Sequence, residues 1–311
     1  MASQTDIEDM DSEASITKLG NKPHGTKKLA QFATIFRHDP RWWCGIILLL
    51  FVLTAIFAPF ISPYSPTLYH PSIATQAPSA AHWLGTDALG RDQLSRVIWG
   101  TRISLSVALA TILMGAICGT LLGIIGAYSK GWLDQIITIV VDTLLAFPSL
   151  VLVLALVAAL GPSVINMSIA LALVRIPVYA RLARGQTLLI AEQPYVEASI
   201  ISGTPTWKLL LRHILPNIFS PLLVQATVSI SYTILDESVL SFLGLGAAPP
   251  TPEWGSMIND AQQYIRSDAW MMLGPALAIV IVLISLNLFG DAVRDYLDPR
   301  DLSTITSPTQ K

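Results

Sequence analysis

The sequence predicts an all-α integral membrane protein with six transmembrane helices, and three observations carry that expectation. Hydrophobic residues make up 52% of the chain and charged residues only 13%, with a mean hydropathy of +0.57, the composition of a chain whose solvent is the bilayer. Six apolar runs are each long enough, at about 1.5 Å per residue, to cross a hydrocarbon core of about 30 Å. The Lys and Arg residues are also divided unevenly among the segments between those runs, the asymmetry that orients membrane helices. The formal net charge of −2 hides this asymmetry, and no nucleic-acid partner is expected from it.

Residues 1–41 are polar and contain Lys18, Lys22, Lys27, Lys28, Arg37 and Arg41. They lack the apolar core and small-residue cleavage site of a secretory signal and read as a cytoplasmic N-terminal tail. The run from Trp42 to Ile61 forms the first span, segment 42–62, with Trp42, Trp43 and Tyr64 suited to the interfaces. An extracytoplasmic connection over 63–101 leads to a core over 102–291. Its spans fall at Ile103 to Ala127, Ile136 to Leu160, Val164 to Ala183, Ile218 to Leu240 and Ala269 to Leu288, and a tail over 292–311 closes the chain.

An even number of spans returns the C-terminus to the starting side. With that side cytoplasmic, 14 Lys and Arg lie inside, Arg91, Arg96, Arg102 and Arg266 lie outside or at the outer edge, and Arg175 lies in a span, which accounts for all 19. Both termini and the loop over 184–217 are therefore expected in the cytoplasm.

Gly115, Gly119 and Gly123 recur at four-residue spacing in the second span, leaving a face without side chains on which another helix can pack closely. The sequence leaves open whether that helix belongs to this chain. Asp142 and Arg175 sit at similar depth in the third and fourth spans. Unpaired charges in hydrocarbon are costly, so a salt bridge between them or a water-lined path is expected. Asp236 and Glu237, near the outer end of the fifth span, either line an outer vestibule for a cationic group or meet outer-loop donors and water. Cys44 and Cys118 lie in apolar stretches and the five histidines are scattered, so no disulfide, metal site or bound cofactor is expected. A phosphate-binding Gly-rich run ending in Lys-Ser/Thr is missing as well, so no ATPase resides in this chain and no catalytic residue is assigned.

The stretch EASIISGTPTWKLLLRHILP, Glu197 to Pro216, is a polar helix pair set between two spans. Pro194 suits the first turn of a helix running to Ser202, and Gly203 can adopt a left-handed stop. Thr204 and Pro205 then read as N-cap and first turn of a second helix ending at Pro216. The order Glu197-Ala198-Ser199, Gly203, then His213-Ile214-Leu215-Pro216 resembles the EAA loop of ABC importer permeases. Ser199 stands where that family usually has alanine, and His213 where its pattern has isoleucine. LGTDALGRDQLSRVIWGTRISL, Leu84 to Leu105, and FLGLGAAPPTPEWG, Phe242 to Gly255, are similar to segments of the second permease subunit of dipeptide, oligopeptide and nickel ABC importers. In the first, Thr86 and Asp87 can cap a turn, and Arg91, Asp92 and Arg96 can pair locally.

The resemblance covers about Leu84 to Arg300 and implies a type I ABC importer permease (MetI-like) fold in a bacterial or archaeal cell membrane. It also implies a non-catalytic half-channel, with a homologous second permease subunit, two cytoplasmic ATPases that bind ATP and Mg, and an extracytoplasmic substrate-binding protein as partners, and lipid around it. Glu197, Ala198, Ser199, Gly203, His213, Leu215 and Pro216 would couple to the ATPases. Short peptides are the expected cargo, with nickel chelates, glutathione or another small solute as the alternative. A lone secondary transporter would call for repeats and a coupling-ion site, and an intramembrane enzyme for paired catalytic groups. Neither signature is visible.

Overall fold

The computed structural model describes residues 40–129 and 131–297. Lys130 and most of the two expected tails lie outside the described residues, and with them Lys18, Lys22, Lys27, Lys28, Arg37, Arg300 and Lys311. Every regular element described is helical, and the β features amount to an isolated bridge between Thr86 and Asp92. A 3-10 turn, Pro40–Trp42, opens into α1 (Trp43–Ile61). A long connection follows, then α2 (Gln93–Ser129), α3 (Gly131–Ala146), α4 (Ser149–Leu160) and α5 (Val164–Ala191). The chain continues through α6 (Pro194–Ile201), α7 (Thr206–Leu209), a π turn (Leu210–Ile214), α8 (Leu215–Phe242), α9 (Trp254–Ala261) and α10 (Trp270–Leu297).

Five of these stretches are long and apolar enough to cross a membrane: Pro40–Ile61, Gln93–Ser129, Val164–Ala191, Thr206–Phe242 and Trp270–Leu297. The sixth expected span is a bent pair, α3 and α4, meeting at 95°. Pro148 causes the break. Its ring disfavours helical geometry in Phe147 and its nitrogen donates no hydrogen bond, so α3 stops at Ala146 and α4 restarts after the extended Pro148 (φ −57°, ψ 124°). Helix α2 starts at Gln93, well before the 102 boundary drawn from hydropathy, because polar residues at its start are buried against the connection rather than facing lipid.

The helix ends define a common face. Arg41 Nη1 donates to Asp295 Oδ2 at 2.7 Å, and Trp42 packs edge-on against Phe289 and Tyr296. The start of α1 and the end of α10 therefore meet, as an even number of passes requires.

The partner of the glycine stripe is α5 of the same chain. A Cβ at Gly115 would lie 2.8 Å from Arg175 Cβ, one at Gly119 2.6 Å from Tyr179 Cβ, and one at Gly123 2.8 Å from Ala183 Cβ. Such spacings leave no room for a side chain, so the two backbones approach as closely as small residues allow. Along α1, by contrast, Ala58 alone is buried, so α1 lies at the periphery with most of its surface toward lipid.

Gly119→Leu is expected to cost about 1–3 kcal/mol through overpacking and to lower the unfolding temperature of the detergent-solubilised protein. Gly185→Ala, where nothing lies within 4 Å of the new Cβ, should leave that temperature unchanged. Equal melting of the two variants would show that the seam is not close-packed.

Candidate functional site

The first site is the helical corner over 194–216. Pro194 opens α6 at a position where no intrahelical donor is needed. The chain then turns at Gly203, whose φ of +77° lies in the left-handed region that glycine enters without steric cost. Gly203 N donates to Ile200 O at 2.9 Å and Thr204 N to Ser199 O at 3.1 Å, closing the end of α6. The expected cap is displaced by one residue. The Pro205 carbonyl, rather than Thr204, accepts from Lys208 N and Leu209 N at 3.0 and 3.1 Å, and the helix begins at Thr206.

The second corner helix also does not stop at Pro216. It runs through the π turn into α8, because Pro216 falls in the first turn of α8 where its missing N–H leaves nothing unsatisfied. Asn217 Nδ2 donates to the His213 carbonyl at 2.5 Å and secures the junction.

Burial divides the corner into an anchor and an outer face. Val196, Leu209 and Ile214 are fully buried in one apolar cluster with Tyr179, Ala183 and Ile218, which fastens the corner to α5 and α8. Glu197, Ala198, Gly203 and Pro216 are exposed, while Ser199, His213 and Leu215 are half-buried. Ser199 Oγ donates to Tyr195 O at 2.8 Å, and the His213 ring lies beside that of Tyr195. Ile201 is 80% exposed and Trp207 65%. Large apolar side chains held outward on a rigid corner beside a carboxylate form a surface suited to docking.

The second site is a set of ion pairs between spans, and it corrects the expected pairing of Asp142 with Arg175. Arg175 Nη2 donates to Asp236 Oδ2 at 2.6 Å and Arg175 Nε to Thr233 Oγ1 at 3.3 Å, joining α5 to α8. Asp142 instead accepts from Arg181 Nη2 at 2.5 Å. Asp134 receives both Arg184 Nε and Nη2 at 2.7 Å, the bidentate geometry that makes arginine–carboxylate pairs strong. The reason is the length of α5. It continues to Ala191 instead of ending at Ala183, which sets Arg175 about two turns further from that end, so that Arg181 and Arg184 meet the two carboxylates of α3.

Asp236 and Glu237 point apart, so they do not jointly line a vestibule. Asp236 serves Arg175, whereas Glu237 is fully buried, accepting from Ser104 Oγ at 3.0 Å and Ser238 Oγ at 3.3 Å. Beside it lies Glu253, also buried, which accepts from Ser241 Oγ at 2.7 Å and Ala247 N at 2.6 Å. These contacts tie the Phe242 to Gly255 loop to α2 and α8, and Trp254 Nε1 adds a bond to Val97 O at 3.1 Å.

The Leu84 to Leu105 segment is a structural knot at the same membrane face. Asp87 accepts from Arg91 Nε at 2.5 Å and lies 3.6 Å from Arg96 Nε. Arg96 also reaches the carbonyls of Pro66 and Pro250. Asp92 accepts from Ser95 N at 2.8 Å at the start of α2, and the four charged side chains are almost completely buried. Sequence spacing suggested a local pairing of Arg91, Asp92 and Arg96, but both arginines meet Asp87, while Asp92 lies 2.9 Å from His82 Nδ1 and accepts from Ser95. The spacing carried no sign of the reach to Pro250.

Several helices apolar enough to span a membrane, ion pairs between them and an exposed apolar corner define an integral membrane protein. Comparison with known proteins gives the class its identity. Residues 119–301 match the family described as binding-protein-dependent transport system inner membrane component, and residues 31–80 match the N-terminal TM domain of oligopeptide transport permease C. A dipeptide transport system permease protein of Alkalihalophilus pseudofirmus is 42% identical over 82% of this chain and 84% of its own length. A di/tripeptide permease of Pseudomonas aeruginosa is 42% identical over 88% and 92%, and a glutathione transport permease of Pectobacterium atrosepticum 41% over 82% and 85%. Inward-facing MetNI methionine ABC transporter coordinates superpose with a TM-score of 0.54 at 16% identity, covering 66% of this chain and 97% of that one, which speaks for the fold alone. The chain belongs to the binding-protein-dependent transport permeases, as a second permease of the dipeptide/oligopeptide type, with the type I ABC importer permease fold.

In a double-mutant cycle on unfolding free energy, Arg175→Gln and Asp236→Asn should couple by about 0.5–3 kcal/mol, because each single change leaves a largely buried charge unpaired. Arg175→Gln and Asp142→Asn should simply add. The reverse pattern would restore the pairing expected from sequence.

Proposed function

We propose that this chain forms half of the passage of an ATP-driven importer for short peptides. It pairs with a homologous second permease subunit, receives cargo from an extracytoplasmic binding protein, and docks two cytoplasmic ATPases that hold ATP and Mg. Both termini and the 194–216 corner face the cytoplasm, in a bacterial or archaeal cell membrane.

The observation that carries this reading is the exposure of the Asp142–Arg181 pair. Its side chains are 53% and 62% exposed, yet they sit on helices otherwise apolar enough to span the membrane. Ionised groups do not face lipid at such depth, so the α3–α5 surface faces water or another protein. A half-channel closed by a second subunit meets both conditions, and a cleft of about 400 Å³ lined by Gly123, Thr138, Asp142, Arg181 and Arg184 lies there.

Closure of the ATPases on ATP would push the exposed face around Glu197, Ile201 and Trp207. Because Val196, Leu209 and Ile214 are buried against α5 and α8, that displacement passes to the spans and shifts the passage between inward- and outward-open states. Peptide cargo rests on the relatives named for dipeptide transport. Glutathione, nickel chelates or another small solute form the alternative, glutathione being supported by the permease at 41% identity. Binding of labelled dipeptides against glutathione by the partner binding protein decides between them.

Gly203→Val should uncouple ATP hydrolysis from uptake in the reconstituted importer while leaving membrane insertion intact, since a β-branched residue resists positive φ. Gly203→Asn should keep most activity, because asparagine tolerates that region and a new Cβ meets nothing within 4 Å. Glu197→Ala should give a milder loss. Unimpaired uptake with Gly203→Val would remove the corner as the coupling element. For topology, a cysteine at Thr206 should resist impermeant reagent in intact cells while one at Ser256 reacts, and the opposite labelling would invert the orientation.

A further inference from the structure

An apolar groove of about 540 Å³ runs between α1 and α2, with α8 and α10 beneath. Leu48, Ala55 and Ile56 of α1 and Leu105 and Leu109 of α2 line it, and Arg102 is the single charged residue at its wall. Arg102 is exposed and stands over the Trp99 ring at 5.7 Å. Among the described residues it has no carboxylate partner, unlike Arg91, Arg96, Arg175, Arg181 and Arg184.

Position identifies what such a groove accepts. Helix α1 ends at Ile61 and α2 starts at Gln93, so Arg102, in the third turn of α2, lies at the end of the groove nearer the connection between them. From Ile56 inward to Leu48 the α1 wall extends about 12 Å, close to the roughly 15 Å of one leaflet's hydrocarbon. A helix of another subunit crossing the membrane would need contact along twice that distance. A chain anchored at one interface and ending near the midplane needs only one leaflet, and its anionic head would complement the free guanidinium.

We propose that this groove is a binding site for one anionic phospholipid, an acyl chain lying between α1 and α2 and the headgroup phosphate bound by Arg102. Arginine is suited to the role because its planar fork engages phosphate oxygens bidentately. The lipid would fill the cleft between the peripheral α1 and the core, making α1 an annexe held partly by the membrane itself. None of this depends on the cargo or on the coupling corner.

The test is native mass spectrometry of the full-length, detergent-solubilised chain titrated with phosphatidylglycerol or phosphatidylethanolamine. One phosphatidylglycerol per chain should be retained in preference to phosphatidylethanolamine. Arg102→Gln should weaken phosphatidylglycerol binding about fivefold, the worth of one interfacial cation–anion contact, and leave phosphatidylethanolamine binding unchanged. Ala55→Phe should fill the groove and reduce retention of both. Since Arg102 is exposed, its variant carries the test even if the phenylalanine perturbs folding. Phosphatidylglycerol retention indifferent to Arg102→Gln would overturn the site. So would a photo-crosslinker at Ile56 that captures the second permease subunit rather than lipid in the assembled importer.

Discussion

The close seam between α2 and α5 is the constraint on which the rest of the structure depends. Gly115, Gly119 and Gly123 bring α2 against Arg175, Tyr179 and Ala183, and those contacts set the rotation of α5 about its own axis. That rotation turns Arg175 toward Asp236 on α8 while Arg181 and Arg184 reach the carboxylates of α3. Tyr179 and Ala183 also form the floor on which Val196, Leu209 and Ile214 rest. In a bilayer the hydrophobic effect does not drive helices together, so dispersion contacts at small residues carry much of the association. A wider seam would misdirect three ion pairs and loosen the corner at once.

The charged groups separate by exposure, and exposure sorts their roles. The Arg175–Asp236 pair is mostly shielded, with side chains 13% and 16% exposed, and serves as a clasp between α5 and α8. The Asp142–Arg181 pair is open, which ties the α3–α5 surface to water or to a partner. At the opposite membrane face Asp87, Arg91 and Arg96 are buried with their carbonyl acceptors. There burial removes charge from solvent only because every partner is in place, the condition under which buried ions are tolerated.

Much of this was legible in the sequence where the cause is local. Long apolar runs marked the spans, and the positive φ of Gly203 followed from a polar turn between two short helices. The glycine stripe announced a close contact, although its partner awaited the fold. Features set by distant residues were not legible. Hydropathy ended the fourth span at Ala183 because Arg184 and Gln186 look like a loop, and that false end placed Arg175 level with Asp142. Pro148 stood in plain view, but a proline inside an apolar run reads equally as a kink or a full 95° break. The meeting of Glu237 with Glu253 depends on how the loop over 243–253 folds back, which no spacing records.

The second corner helix and Asp236 of the α5–α8 clasp lie on one continuous stretch, Thr206–Phe242. Thr206 sits beside Tyr128 at the end of α2, while Asp236 holds Arg175 some thirty residues later, about 45 Å along the axis. A continuous helix carries displacement over such a distance with little loss, provided that its weakest turn is supported. That turn is Leu210–Ile214, where π geometry replaces the i→i+4 hydrogen-bond register with i→i+5. It is supported where it matters, since Leu209 just before it and Ile214 at its end are fully buried and Asn217 closes the His213 carbonyl. The turn at Gly203 lies outside the packed cluster, so an adjustment of α6 there would leave the packing of α8 intact. Packing behind the exposed surface, with the glycine turn outside it, suits the coupling role proposed for the corner.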